Sequence, residues 1–129
     1  MKIRQKLEVN FEVSTGSVIN EKINLALKEL LPWLSLEKIV KKDINQISYS
    51  EKKVVQFARA IISRPRILLL DDFFLNIDPQ IEKKINYLIL ALNRIGTSII
   101  VFGALSKNNT IKFDKRYNIS NINLTELET

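Results

Sequence analysis

Residues 47–79 read ISYSEKKVVQFARAIISRPRILLLDDFFLNIDP, and the fold turns on this stretch. Ser48 followed by Glu51 is a capping box, in which a hydroxyl and a carboxylate satisfy the first free amides of a helix. The predicted helix runs to about Ser63, with Val54, Val55, Ala58, Ile61 and Ile62 facing inward, and Pro65 stops it. Ile67-Leu68-Leu69-Leu70 is a continuous apolar run ending in Asp71 and Asp72. That is the pattern of a buried parallel strand with polar groups at its carboxyl end. Asp78 as cap and Pro79 in the first turn open the next helix. Its apolar stripe is Ile81, Ile85, Leu88, Ile89 and Leu92, and Gly96 is its stop. Residues 98–102 predict a second buried strand. Helix, strand, helix, strand in this order implies a right-handed crossover and a parallel sheet. Ligands of such sheets bind at the carboxyl ends of the strands. The candidate site is therefore Asp71, Asp72 and the loop after Phe102.

Outward from this stretch the signals weaken. Residues 2–13 alternate loosely (Ile3, Leu7, Val9, Phe11, Val13) and predict a short strand or extended lead-in, followed by a turn at 14–17. Asn20 caps a predicted helix with Ile23, Leu27, Leu30 and Leu31 on one face, and Pro32 ends it. A second short helix is predicted at 35–42, with Leu36, Ile39 and Val40 apolar, then a loop at 43–46. The tail holds two weak strands near 116–119 and 122–125, joined at Ser120 and Asn121.

Composition narrows the chemistry. At 129 residues, 46% apolar and 26% charged, the chain has the makings of one domain with a core, and intrinsic disorder is excluded. No apolar run approaches the roughly 18 residues that span a bilayer, and the N-terminus lacks the apolar stretch of a secretion signal. With no Cys, disulfides and thiolate metal sites are excluded. With no His, the commonest general base and metal ligand is missing. Chemistry is left to carboxylates, hydroxyls, Lys and Arg. The net charge of +6 suits anionic partners such as nucleotides, nucleic acid or lipid head groups. A Lys-, Ile- and Asn-rich composition also fits an AT-rich genome. Lys41, Lys42, Lys52 and Lys53 read either as a basic face or as a solvated one.

Four apolar residues and an acid, ILLLD, form the pattern of a Walker B strand. Such a strand carries one carboxylate to its tip, where it holds Mg²⁺ beside nucleotide phosphates, and a second carboxylate orients an attacking water. The wider stretch resembles the block of ABC-type ATPases that runs from their signature sequence to their D-loop. Ile47-Ser48-Tyr49-Ser50-Glu51 stands where the family has LSGGQ or LSGGE. Ala58-Arg59-Ala60-Ile61 and Arg64-Pro65 match its ARAL helix end and basic-Pro step, and Asn76-Ile77-Asp78 matches its D-loop. Asp71 follows Ser48 at the family's usual spacing. Asn93-Arg94-Ile95-Gly96-Thr97 resembles the step into the strand before the H-loop, and Asp114-Lys115-Arg116 the "DR" before the last hairpin. The Asn93–Thr97 step and the compact tail are most similar to the cell-division ATP-binding branch and its lipoprotein-release and macrolide-exporter relatives.

The resemblance implies a partial P-loop NTPase fold of the ABC ATPase kind: α/β, a mostly parallel sheet with flanking helices plus a helical subdomain, lacking the P-loop half. About 1–62 is expected to be the helical subdomain with the signature helix. About 63–129 is expected to hold the Walker B strand, D-loop, following helix and C-terminal strands. Asp71 is then the Mg²⁺ ligand, Asp72 stands at the catalytic Glu position, and Ser48, Ser50, Glu51 and Asp78 are the ATP-contacting set. Ser48 with Glu51, and Asp78 before Pro79, also read as plain helix caps.

Departures from the family argue against independent ATP hydrolysis. With only Gly16, Gly96 and Gly103, no GxxxxGK[ST] phosphate loop is present. Tyr49 and Ser50 replace the signature glycines, Asp72 is a methylene shorter than Glu, and Ala104 stands at the H-loop His position. A sheet without the P-loop strand is expected to expose an apolar edge at 67–70 and to self-associate, unless residues 7–13 cover it. The implied partners are a membrane permease subunit or a complete ABC ATPase, and Trp33 reads either as a partner contact or as buried against the short helices. The implied place is cytoplasmic, or peripheral on the inner membrane. The alternative is a basic interaction module that binds nucleic acid or another protein. No aromatic–basic interleaving along the chain supports a nucleic-acid partner.

Overall fold

The protein is seen in a computed structural model that describes residues 2–4, 7, 20–107, 109–120 and 123–127. Helix α1 (Asn20–Trp33) is followed by a 3₁₀ turn (Ile44–Gln46), helix α2 (Tyr49–Ile61) and strand β1 (Ile67–Asp71). Helix α3 (Pro79–Arg94) crosses to strand β2 (Ser98–Phe102), and β3 (Arg116–Ser120) and β4 (Asn123–Leu127) close the order.

The helix ends follow local chemistry. The Ser48 hydroxyl accepts the Glu51 amide at 3.2 Å and the Glu51 carboxylate accepts the Ser48 amide at 2.7 Å, the predicted capping box of α2. Asp78 caps α3 by accepting the amides of Gln80 and Ile81. At the end of α3, Gly96 at φ 100° lets its amide reach Asn93 and the Thr97 amide reach Leu92, which satisfies the last free carbonyls. The same closure ends α1, with Ser35 at φ 55° in the place usual for glycine. Helix α1 therefore runs through Pro32 to Trp33, one residue beyond its predicted end. Proline removes one donor in the last turn, and the bonds from Ser35 to Pro32 and from Leu36 to Leu31 close the end beyond it. Trp33 is exposed there, so the expectation of its burial against the short helices is not met.

Two predictions upstream are corrected. Residues 35–42 form successive turns rather than a helix. The carbonyls of Val40 and Lys42 are taken by the amides of Arg4 and Ile3, so they do not propagate helical bonds. Ile3, Arg4 and Leu7 are helical, not extended, although Lys2 bridges Asp43. Ile3 and Leu7 are fully buried. Their spacing suits one face of a strand and one face of a helix equally, so it does not discriminate. Val9, Phe11, Val13 and the predicted turn at 14–17 lie outside the described residues. Residues 44–46, predicted as loop, form the short 3₁₀ turn capped by Asp43.

Strands β1 and β2 pair in parallel, Ile67 beside Ser98 through Asp71 beside Phe102. Thr97 joins their starts by donating its hydroxyl to the Pro65 carbonyl at 3.1 Å. One core packs against one sheet face: Leu68 and Leu70 with Val54, Phe57, Ala58 and Ile61 of α2 and Ile85 and Ile89 of α3. The expectation of strands buried on both faces fails. Ile67 is 58% exposed and Leu69 61%, and Ile100 and Phe102 are exposed beside them. An apolar run marks both faces as hydrophobic, but α2 and α3 cover the same one. The tail hairpin forms as predicted, β3 and β4 antiparallel with every residue exposed.

Candidate functional site

The carboxyl ends of β1 and β2 bring the expected residues to one edge. Asp71 ends β1 opposite Phe102, with its side chain on the exposed face. The Asp72 amide donates to the Phe102 carbonyl at 3.1 Å, extending the ladder by one step, and Asp72 then turns the chain at φ 43°. Its carboxylate lies over Gly103. A Cβ built on Gly103 would sit 2.9 Å from the Asp72 Cγ and overlap Oδ1. Gly103 is itself at φ 89°, so two independent constraints call for glycine there. Ala104 follows, exposed.

The loop from Asp72 to Asp78 is anchored by aromatic packing. Phe73 packs on Phe57 with centroids 5.8 Å apart and meets Phe74 edge-on at 5.5 Å. With Ile77 also buried, the loop places the Asp78 amide 2.9 Å from the Ser50 hydroxyl, which accepts its hydrogen. The start of α2 and the start of α3 are joined at that bond.

Lys53 was not singled out by sequence as a residue of this site. Its ammonium is 3.3 Å from the Asp72 carbonyl, 5.3 Å from the Phe73 ring centroid and 5.6 Å from that of Tyr49. The available signal was the Tyr49, Lys53 spacing on one helix face. Glu82 was missed as well. It is buried on α3, and both its oxygens lie within reach of the Ser106 hydroxyl, at 2.6 and 2.7 Å, with the Asn109 amide at 3.3 Å. This pins the chain after β2 to α3. Glu82, Asn86 and Ile89 share a flank of the apolar stripe, which was its sequence signal.

The polar groups expected to meet a nucleotide are already paired with one another. The Ser48 amide, and then its hydroxyl, hold the Glu51 carboxyl below the ordinary glutamate value, Lys42 adds to this, and partial burial opposes it. The N-terminus of α2 thus carries its own carboxylate, and Ser50 is engaged by Asp78. The residues present do not fit a phosphate without displacing Glu51. The backbone amides of Tyr49 and Ser50 in the first turn and the hydroxyl hydrogens of Ser48 and Ser50 are the donors left to offer. Among the described residues no three Asp or Glu side chains cluster to hold a metal. Asp71 and Asp72 together make at most a two-carboxylate site, which Mg²⁺ accepts only with water and phosphate completing its shell.

Comparison with known proteins identifies the family. The ABC transporter family profile matches residues 2–74. The chain is 34% identical over 94 residues to the methionine import ATP-binding protein MetN of Xylella fastidiosa, covering 72% of this chain and 28% of that protein. It is 32% identical over 79 residues to the cell division ATP-binding protein FtsE of Mycobacterium tuberculosis, covering 61% and 34%. It thus spans about a third or less of these curated relatives. Import and cell-division proteins match alike, so the cell-division branch is not singled out. MJ1267, an ATP-binding cassette of an ABC transporter, superposes with a TM-score of 0.75 at 20% identity, covering 98% of this chain and 55% of that one. This bears out the expected fold class, a partial P-loop NTPase fold with a parallel sheet and flanking helices. With the family profile spanning more than half of it, the chain belongs to the ABC transporter family, through that family's ATP-binding domain.

Proposed function

We propose that this chain is a degenerate ABC-type ATP-binding protein that does not hydrolyse ATP by itself and works in association with a membrane permease subunit or a complete ABC ATPase. The family implies ATP and Mg²⁺ as ligands. The observation that carries the reading is the self-pairing of the candidate site. Ser48 is bonded to Glu51, Ser50 to Asp78, and the Asp72 carboxylate is seated on Gly103. Within these 129 residues no phosphate loop and no histidine supply what those groups leave out.

Asp71 keeps the proposed role of Mg²⁺ ligand, and Asp72 that of the family's catalytic carboxylate, shortened. Ser48, Ser50, Glu51 and Asp78 keep the proposed nucleotide-contacting role, subject to displacement of Glu51. The proposed division at about 62/63 separates helical subdomain from strand-bearing part, and one core cluster joins the two. The bare apolar face of β1 and β2 supports association with another chain. No helix among the described residues is long and apolar enough to cross a membrane. The proposed place is cytoplasmic, on the inner face of the membrane through a partner. Kinship with the cell-division branch rests on the Asn93–Thr97 step and the compact tail, and similarity to the methionine-import protein weighs equally.

The test is affinity capture of the tagged chain from its own cells, read by mass spectrometry, alongside an ATPase assay of the purified chain. Recovery of a permease or a phosphate-loop ATPase supports the reading. Recovery of chaperones alone, or steady turnover by the isolated chain, overturns it.

A further inference from the structure

The seam between the end of α1 and the middle of α3 holds a cleft of about 550 Å³, lined by Trp33, Gln80, Lys83, Lys84, Tyr87 and Leu88. Its size falls in the range of ligand sites, about 300–1,000 Å³. Trp33 and Tyr87 stack with centroids 6.0 Å apart and planes 11° from parallel. Both rings remain well exposed, at 57% and 59%. Core aromatics are covered on both faces, whereas this pair keeps ring surface turned to water. The Lys84 ammonium donates to the Ser35 hydroxyl at 2.7 Å, which ties α3 to the turn after α1 and keeps Trp33 beside Tyr87. No lining residue belongs to the site at the strand ends.

We propose that this cleft binds single-stranded nucleic acid, a base stacking on the Trp33–Tyr87 pair and a backbone phosphate lying against Lys83 and Lys84. The charged side chains lining it are cationic, with no carboxylate among them. The chain's charge of +6 draws a polyanion toward it. Every nucleobase has a π-face, so a flat exposed aromatic platform flanked by cations suits a strand of any sequence. A nucleobase has the flat π-face that matches the near-parallel geometry of the pair. Lys83, Lys84 and Tyr87 lie close together on α3, and Trp33 joins them from α1 only in the fold. The proposal is independent of the ATP-binding reading, and either stands if the other fails.

Trp33 is the only tryptophan, so intrinsic fluorescence reports on this cleft directly. The full chain is titrated with an oligothymidylate of about 12 nucleotides, within the range of single-strand site sizes. Saturable quenching that weakens with salt is expected. Lys83→Glu should lower affinity several-fold and reduce the salt slope by about one. Tyr87→Ala should also weaken binding, while Lys112→Glu, outside the cleft, should leave it unchanged. Circular dichroism melts confirm that each variant is folded. Unchanged Trp33 fluorescence overturns the proposal, as does an equal loss in Lys83→Glu and Lys112→Glu. Thymidine monophosphate quenching at the same concentration as the oligonucleotide also overturns it, because the cleft is then a small-nucleotide site.

Discussion

The Ser50 hydroxyl accepts the backbone amide of Asp78 at 2.9 Å and so couples the first turn of α2 to the cap of α3. Each residue has a local role as well, Ser50 in the turn that opens α2 and Asp78 as the cap of α3. The bond makes the two helix starts one unit at the edge of the sheet.

Ser50→Ala removes the acceptor and leaves the Asp78 amide to water. The expected cost is about 1 kcal/mol, the net value of an ordinary hydrogen bond. A thermal melt should fall by a few degrees, about 4 °C for a chain of this size. An unchanged melting temperature would mean the bond contributes nothing to the coupling.

Glu51 makes stability depend on pH. Its carboxyl is held below the ordinary value of 4.5 in the folded chain, so the folded state favours the ionised form. That contribution is present above pH 4.5 and is lost as pH falls through the lowered folded value. Urea midpoints of the wild type and Glu51→Gln should differ at pH 6 and converge toward pH 3. A constant offset across that range would locate the effect elsewhere.

Gly103→Ala meets both a left-handed backbone and the Asp72 carboxylate. Backbone strain of this kind costs of order 1–3 kcal/mol. Adding Asp72→Gly removes the collision and relieves Asp72's own positive φ. The double variant should recover part of the loss, read as a positive coupling in a denaturation cycle. Simple additivity would show that the two positions do not meet.

The two faces of β1 should respond oppositely to substitution. Leu68→Ala, in the core, should cost about 2–5 kcal/mol. Leu69→Lys, on the bare face, should change stability by less than about 0.5 kcal/mol. It should also lower self-association in sedimentation velocity. Association that persists in Leu69→Lys would assign it to another surface.

Much of the architecture was legible in local chemistry. The Ser48–Glu51 box, the Asp78–Pro79 start, the Gly96 stop and the ILLLD run each act within a few residues, so their consequences for α2, α3, β1 and β2 do not depend on distant chain. The parallel-strand reading placed Asp71, Asp72 and the loop after Phe102 at one edge, because ligand-facing groups of such a sheet gather at the carboxyl ends of its strands. Signals with two meanings did not resolve. Ile3 and Leu7 suited strand and helix alike, and Pro32 ends a helix only when nothing beyond it closes the last turn.

The rest was decided by tertiary structure. A continuous apolar run states that both faces of a strand are hydrophobic, but not that α2 and α3 both cover one of them and leave Ile67 and Leu69 in water. Lys53 above Phe73, Glu82 beneath Ser106, and Trp33 against Tyr87 join residues from different elements. Such contacts depend on how helices are set against the sheet, a sum of many packing terms that no local pattern encodes. The sequence by itself determined the elements from α2 to β2 and the family resemblance they carry. The packing decided that the expected nucleotide-contacting groups pair with one another, because Ser50 meets Asp78 only when both helix starts come to the same edge of the sheet.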